Sequence, residues 1–243
     1  MEELFMGKGI IYYTDNRLGE PIFSTVQEQI RKAGLPITSV SLKPIDFGDN
    51  TVLDLKPGVL TILRQILVAL EASTADVVFF CEHDVLYHPS HFDFEPQDDV
   101  FYYNTNVWQW QYPKDRAVTY DFIRSLSNLC VKRQLAIKQY KQRLKMVEEN
   151  GWKNERSLSV WARRMGFEPG TKSKRQELIS ESNSECWRSE YPNIDIRHKK
   201  TFTPAKMKLK NFKHKPINWR EISLKQIPGW NYQYLSQVGA KSS

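Results

Sequence analysis

The residues best suited to chemistry are Glu82, His83 and Asp84, which directly follow the apolar run Asp76 to Cys81 (DVVFFC). Charged groups at the end of a buried strand must be solvated, paired or metal-bound, because an isolated buried carboxylate is costly. Two carboxylates at i and i+2 can offer hard oxygen ligands to Mg²⁺ or Mn²⁺, with a diphosphate filling the remaining positions. The competing reading is a strand-end loop paired with a nearby arginine. Spacing alone does not separate the two.

The elements that must position this triplet are legible from periodicity. Gly9 to Tyr13 (GIIYY) reads as a buried first strand that opens into the polar turn Thr14, Asp15, Asn16. Pro21 to Ala33 is an amphipathic helix stopped at Gly34, and Pro36 to Leu42 a second strand. Residues 43–58 read as loop, Val59 to Ala72 as a buried helix, and Asp76 to Cys81 as a central parallel strand. This order predicts an α/β domain with a mostly parallel sheet, in which the polar residues beyond Tyr13 and Cys81 face one crevice. Further on, Val100 to Trp110 reads as a strand or strand pair, Val131 to Glu149 and Glu155 to Met165 as helices, residues 169–184 as loop, and Asn193 to His198 as a short strand.

At 243 residues, 40% hydrophobic and 26% charged, the chain can bury a core, and collagenous or wholly disordered classes are excluded. No apolar run approaches a membrane span and the first residues lack a signal segment, so the expectation is a cytoplasmic protein. Cys81, Cys130 and Cys186 are too scattered for a disulfide framework or a thiolate metal site and read as buried thiols. The net charge of +7 is unevenly spread: residues 1–124 hold 10 Lys/Arg against 18 Asp/Glu, and residues 125–243 hold 25 against 10. Within 199–225 there are nine Lys/Arg and one acid, Glu221. Such a stretch suits nucleic acid, an anionic surface or a phosphorylated substrate.

A first strand ending in polar residues, an Arg-bearing helix and an apolar strand ending in acid-x-acid together resemble the GT-A nucleotide-sugar glycosyltransferases. In that family the acid-x-acid motif holds the donor diphosphate through a divalent cation. Pro192 to Thr203 (PNIDIRHKKTFT) resembles the segment of family-2-type members in which a His after a short strand returns to the metal. The resemblance spans roughly residues 8–205 and departs from the pattern in having Glu82 where an Asp is usual.

The resemblance implies a single GT-A-like (Rossmann-like) domain over 1–205, with 206–243 as a basic, aromatic-containing extension. It implies Asp84 and His198 as ligands of Mn²⁺ or Mg²⁺. It also implies Thr14, Asp15, Asn16, Arg64 and Glu82 around a nucleoside-diphosphate sugar, UDP-linked by expectation. An inverting transfer to a hydroxyl needs a carboxylate base. Glu181, Glu185, Glu190 and Asp195 precede His198, and the nearest, Glu190 and Asp195, are the candidates. Alternation places Asp195 on the face opposite His198, which favours Glu190. The acceptor stays open between a saccharide, a small molecule and a modified nucleic acid.

Two other readings compete. One is a nucleic-acid-binding protein that uses the basic C-terminal half, with Phe202, Phe212, Trp219, Trp230 and Tyr232 as stacking faces. The other is a phosphatase or nuclease with Glu82, Asp84, His88 and His91 as metal ligands. On a saccharide acceptor, Trp108, Trp110, Trp161 and Trp187 are the stacking candidates.

Overall fold

The computed structural model describes residues 7–97, 99–121, 123–150, 169–170, 183–201 and 206–240. A seven-stranded sheet is built from β1 (Lys8–Tyr13), β2 (Ile37–Ser41), β3 (Asp49–Val52), β4 (Val77–Glu82), β6 (Phe101–Asn104), β9 (Leu129–Lys132) and β10 (Ser184–Trp187), in the spatial order β10-β6-β9-β4-β1-β2-β3. The pairs β1–β2, β1–β4, β2–β3 and β6–β10 are parallel, and β9 alone runs against its neighbours β4 and β6. The expected mostly parallel α/β sheet is present, with the first strand and the Asp76 to Cys81 strand side by side.

A second sheet of five strands comprises β5 (Val85–Leu86), β7 (Val107–Gln111), β8 (Ala117–Thr119), β11 (Asn193–Arg197) and β12 (Arg220–Ile222), ordered β12-β8-β7-β11-β5. The chain passes from the first sheet to the second through a two-residue turn, His83 and Asp84, between β4 and β5. It passes again at Thr105 and Asn106, so the aromatic run at 100–110 divides into β6 and β7, one in each sheet.

Burial follows the strand period of two. Ile10 and Tyr12 of β1, with Val77, Phe79 and Cys81 of β4, join the core beneath helix α1 (Ile22–Arg31) and the second sheet. Ile11 and Tyr13, with Val78 and Phe80, face α2 (Val59–Ala72) and α3 (Arg133–Asn150). Both faces are covered, which is why these strands are apolar throughout. Arg133, the first residue of α3, donates to the carbonyls of Ala75 (2.6 Å) and Leu70 (3.3 Å). It thereby serves the C-terminal end of α2, which has no basic residue in its own last turn.

Three elements differ from expectation. The stretch 43–58 contains β3, a polar edge strand whose residues Asp-Asn-Thr-Val carry no apolar alternation. The helix expected from Val131 starts at Arg133, because Leu129 to Lys132 is the antiparallel β9, too short to show a period of its own. Cys186 is exposed, whereas Cys81 and Cys130 are buried. The helix expected at 155–165 lies outside the described residues.

The C-terminal segment is tied to both layers. β12 pairs with β8, and Leu224, Ile227, Leu235 and Val238 are buried in the same core as Ile10 and Phe79, the last two from α4 (Tyr232–Ala240). Trp230 Nε1 donates to Pro192 O (2.7 Å), and Tyr112 Oη donates to Val238 O (3.0 Å). No described helix is long and apolar enough to cross a membrane.

His88 and His91 sit on a single 3-10 turn away from Asp84. His91 is fully buried among Phe79, Phe92 and Trp187, and Asn104 Nδ2 lies 3.0 Å from its Nδ1. Burial lowers its pKa to about 3, so it folds neutral. The unfolded chain takes up a proton near pH 6.5 that the native state refuses, so stability is complete above that pH and declines as pH falls towards 3. Denaturant titrations at pH 7 and pH 5 should show His91→Gln losing about 2 kcal/mol less than the parent protein between the two; equal losses would contradict the assignment.

Candidate metal and nucleotide site

The carboxyl ends of β1 and β4 lie side by side, with Tyr13 opposite Glu82. β2 and β3 extend the sheet on one side of β1 and β4 on the other, so this is the point where strand order reverses and where open α/β sheets bind ligands. A pocket opens there, lined by Thr14, Asp15, Glu82, His83, Asp84, Asp195 and His198 among others.

The turn His83–Asp84 is held from the other sheet. β5 pairs antiparallel with β11 through Val85 and Asp195, and the Ile196 amide donates to the Asp84 carbonyl at 2.8 Å. That register delivers His198, one residue past the end of β11, to Asp84: its Nε2 is 3.3 Å from Asp84 Oδ2. One ligand atom each from His83, Asp84 and His198 lies within 4.8 Å of the others.

The donor set fits a divalent ion. His83 Nδ1 is buried with no hydrogen-bond partner, and the buried His198 Nε2 faces Asp84 Oδ2 at 3.3 Å. Two ligands on one ion at about 2.1 Å each stand about 3.0–3.4 Å apart. The Lys200 amide lies 3.2 Å from His198 Nδ1, so a metal taken at Nε2 requires the neutral ring to carry its proton on Nδ1 and to give up that amide contact. Burial works against ionisation of Asp84, but the His198 imidazole and the nearby His83 and Arg197 outweigh it and hold the carboxyl below its usual range. Two imidazoles and one carboxylate suit Mn²⁺, Fe²⁺ or Zn²⁺ better than Mg²⁺.

Besides Asp84, three carboxyls in this pocket are driven apart in acidity. Glu82 is raised to about 8, chiefly by burial and then by the charge of Asp84, although the Tyr13 hydroxyl donates to it at 2.7 Å. Asp195 is raised to about 6 by burial, against the pull of Arg197, whose Nη1 lies 3.0 and 3.2 Å from its two oxygens. Asp15 is largely buried, and against that burial Arg17, which reaches it through Nε and Nη2, each at 2.6 Å, holds its carboxyl low. Lys200 Nζ donates to the Arg17 carbonyl (2.7 Å), closing the β1 loop against the segment after β11.

Of the residues singled out from sequence, Thr14, Asp15, Glu82, Asp84, Asp195 and His198 meet in this pocket. Asn16 does not line it: at φ 57° its Oδ1 accepts the Leu42 and Lys43 amides (2.7 and 2.9 Å), fastening the β1 loop to the loop after β2. Arg64 is exposed, because the buried face of α2 carries Leu63, Gln65, Ile66, Ala69 and Leu70. Its neighbour Gln65 enters instead and donates to the carbonyls of Thr14 (2.7 Å) and Val40 (3.2 Å). Glu190 is exposed outside the pocket, as is Glu185, and Glu181 lies outside the described residues.

The alternation argument against Asp195 does not hold, since β11 ends at Arg197 and His198 is no longer bound by the strand period. Trp108 and Trp110 are core residues, Trp187 is stacked on Phe94, and Trp161 and Phe202 lie outside the described residues. The sequence singles out His83 within the triplet without a ligand role for it, and gives no role to Gln65, Arg143 or Arg197. His83 was legible as the middle residue of the triplet, whereas Arg143 carries no local signal, being one cation among many on α3.

No protein-family model and no curated protein matches the chain. Among solved structures it is similar to the bifunctional IspDF from Campylobacter jejuni (TM-score 0.41, 12% identity, 76% of this chain and 50% of that one). It is also similar to the apo-form glycosyltransferase GlyE of Streptococcus pneumoniae TIGR4 (0.37, 11%, 64% and 43%). A third similarity is to a glycosyltransferase involved in glycosylation of the major capsid of PBCV-1 (0.41, 9%, 75% and 81%). The chain spans half or less of the length of the first two.

Calorimetric titration with Mn²⁺ should show saturable binding that Asp84→Ala abolishes and that His83→Ala and His198→Ala each weaken. Undiminished affinity in all three variants would place the ion elsewhere.

Proposed function

We propose that the protein is a metal-dependent glycosyltransferase that moves a sugar from a nucleoside diphosphate, UDP by preference, to a hydroxyl acceptor with inversion. The observation that carries this reading is the convergence of His83, Asp84 and His198 at the point of strand reversal, beside Asp15 and Asp195. A nucleotide fits such a crevice: Asp15 can accept from a base N–H or a ribose hydroxyl, and Arg17, Arg143 and Lys200 supply positive charge along the same walls.

A divalent ion held by His83, Asp84 and His198 would supply the charge that stabilises a departing diphosphate. Asp195 is the base in this reading. It is buried, it lies in the pocket, and its acidity is shifted towards neutrality, where a carboxylate accepts a proton more readily. The acceptor hydroxyl gives its proton to Asp195 as its oxygen bonds to the anomeric carbon. The bond from that carbon to the diphosphate oxygen breaks, and its electron pair leaves with the diphosphate. Arg197 keeps the Asp195 oxygens oriented and balances the charge of the carboxylate before the proton arrives.

The test is a panel of nucleotide sugars scored by thermal shift with and without Mn²⁺, followed by turnover on the donor that binds. A bound donor should raise the melting temperature only with the metal present. Asp195→Asn should then lower kcat by about 10²–10⁴-fold with donor affinity preserved. Absence of any metal-dependent nucleotide binding would reject the function, and full activity in Asp195→Asn would reject the base.

A further inference from the structure

Among the described residues three large hydrophobic side chains are exposed, and two of them, Leu209 (45%) and Ile217 (62%), fall in one short stretch. Between and beside them stand Lys206, Lys208, Lys210, Lys213, Lys215 and Arg220, all exposed. The single acid of the stretch itself, Glu221, is occupied by Arg116, with Nε to Oε1 at 2.5 Å, and the neighbouring Asp121 accepts from Asn218 Nδ2 at 2.8 Å. The stretch is folded on itself by a trio of rings. Phe212 meets Trp219 (5.6 Å) and Tyr120 (5.0 Å) edge-on, and Tyr120 stacks on Trp219 (5.9 Å). These contacts bring the turn that carries Leu209 beside the turn that carries Ile217, and Leu209 and Trp219 border one shallow depression.

We propose that residues 206–220 form a docking surface for an anionic lipid bilayer. Isolated exposed aliphatic residues are ordinary, but two of them at turn tips within a field of lysines match what a membrane interface rewards. Apolar tips enter the headgroup boundary, half-buried Trp and Tyr sit at its level, and cations meet the anionic lipids. Nucleic acid is the weaker fit. The rings that would stack on bases are engaged with one another, and Lys206 lies over Phe212 (5.2 Å) and Arg220 over Trp108 (5.4 Å), whereas the exposed groups are aliphatic. A second copy of the chain would set like charges against each other. Tyr120, which packs on Phe212 and Trp219, interacts electrostatically with Arg197 and Asp195 of the pocket. Docking that left the pocket rim facing the bilayer would present it to lipid-borne hydroxyls. That corollary rests on the transferase reading, whereas docking itself does not.

The test is co-sedimentation of the full chain with vesicles of phosphatidylcholine alone or with about one-third phosphatidylglycerol, at near-physiological ionic strength. Binding should appear with the anionic vesicles only. K208E/K210E/K213E should weaken it by about a hundredfold, and L209S/I217S by about tenfold, with melting temperatures unchanged because all five side chains are exposed. I217S alone, at the most exposed position, serves if the double variant is unstable. No sedimentation with anionic vesicles would overturn the proposal. So would binding that is indifferent to Leu209 and Ile217 while the same lysines bind DNA or RNA with a steep salt dependence, which would assign the surface to nucleic acid.

Discussion

The site depends on one backbone register: β5 against β11, with the Ile196 amide bonded to the Asp84 carbonyl at 2.8 Å. His83 and Asp84 are the whole of the connection between the two sheets at this point, and β11 comes from more than 100 residues later. A one-residue slip of β11 would turn Asp195 away and carry His198 past Asp84. The parallel pairing of β11 with β7 from Asn193 to Arg197 resists that slip. So does the alternation that buries Ile194 and Ile196 in the core and leaves Asp195 to the pocket.

The same register concentrates charge where burial makes it expensive. Glu82, Asp84 and Asp195 act on one another electrostatically in a largely desolvated space, and an arrangement of that kind persists only if cations or protons offset it. The protein answers each differently. Glu82 is pushed towards protonation, Asp84 is held ionised by imidazoles, and Asp195 is balanced by Arg197. Environments that push like groups apart in acidity are a feature of acid–base sites.

The sequence made the frame legible and part of the site. β1, β2 and β4 are apolar runs between turn residues, and α1 and α2 have clear helical spacing, so the crevice at their ends followed. Asp84 was readable because it stands just beyond a strand end, and His198 only through the resemblance that the segment Pro192 to Thr203 carries. What failed was what depends on side-chain direction. Arg64 and Gln65 are adjacent, and only the orientation of α2 against β1 and β2 decides that the amide enters and the guanidinium stays outside. Asn16 is spent on backbone amides from a loop 26 residues away, which no local pattern reveals. Short strands such as β3 and β9 are fixed by their neighbours, and the charges at 206–220 do not reveal that the chain from Leu224 onward enters the core.

On the function proposed above, the turn between the sheets and the residue past β11 hold one metal ion. Pulsed electron paramagnetic resonance of Mn²⁺ added to the intact protein tests it directly, because nitrogen coupling to the ion reports imidazole ligation. The structure predicts coupling from both imidazoles, reduced in His83→Ala and in His198→Ala and lost with the bound ion in Asp84→Ala. Bound Mn²⁺ without nitrogen coupling, or with coupling untouched by these substitutions, would contradict it.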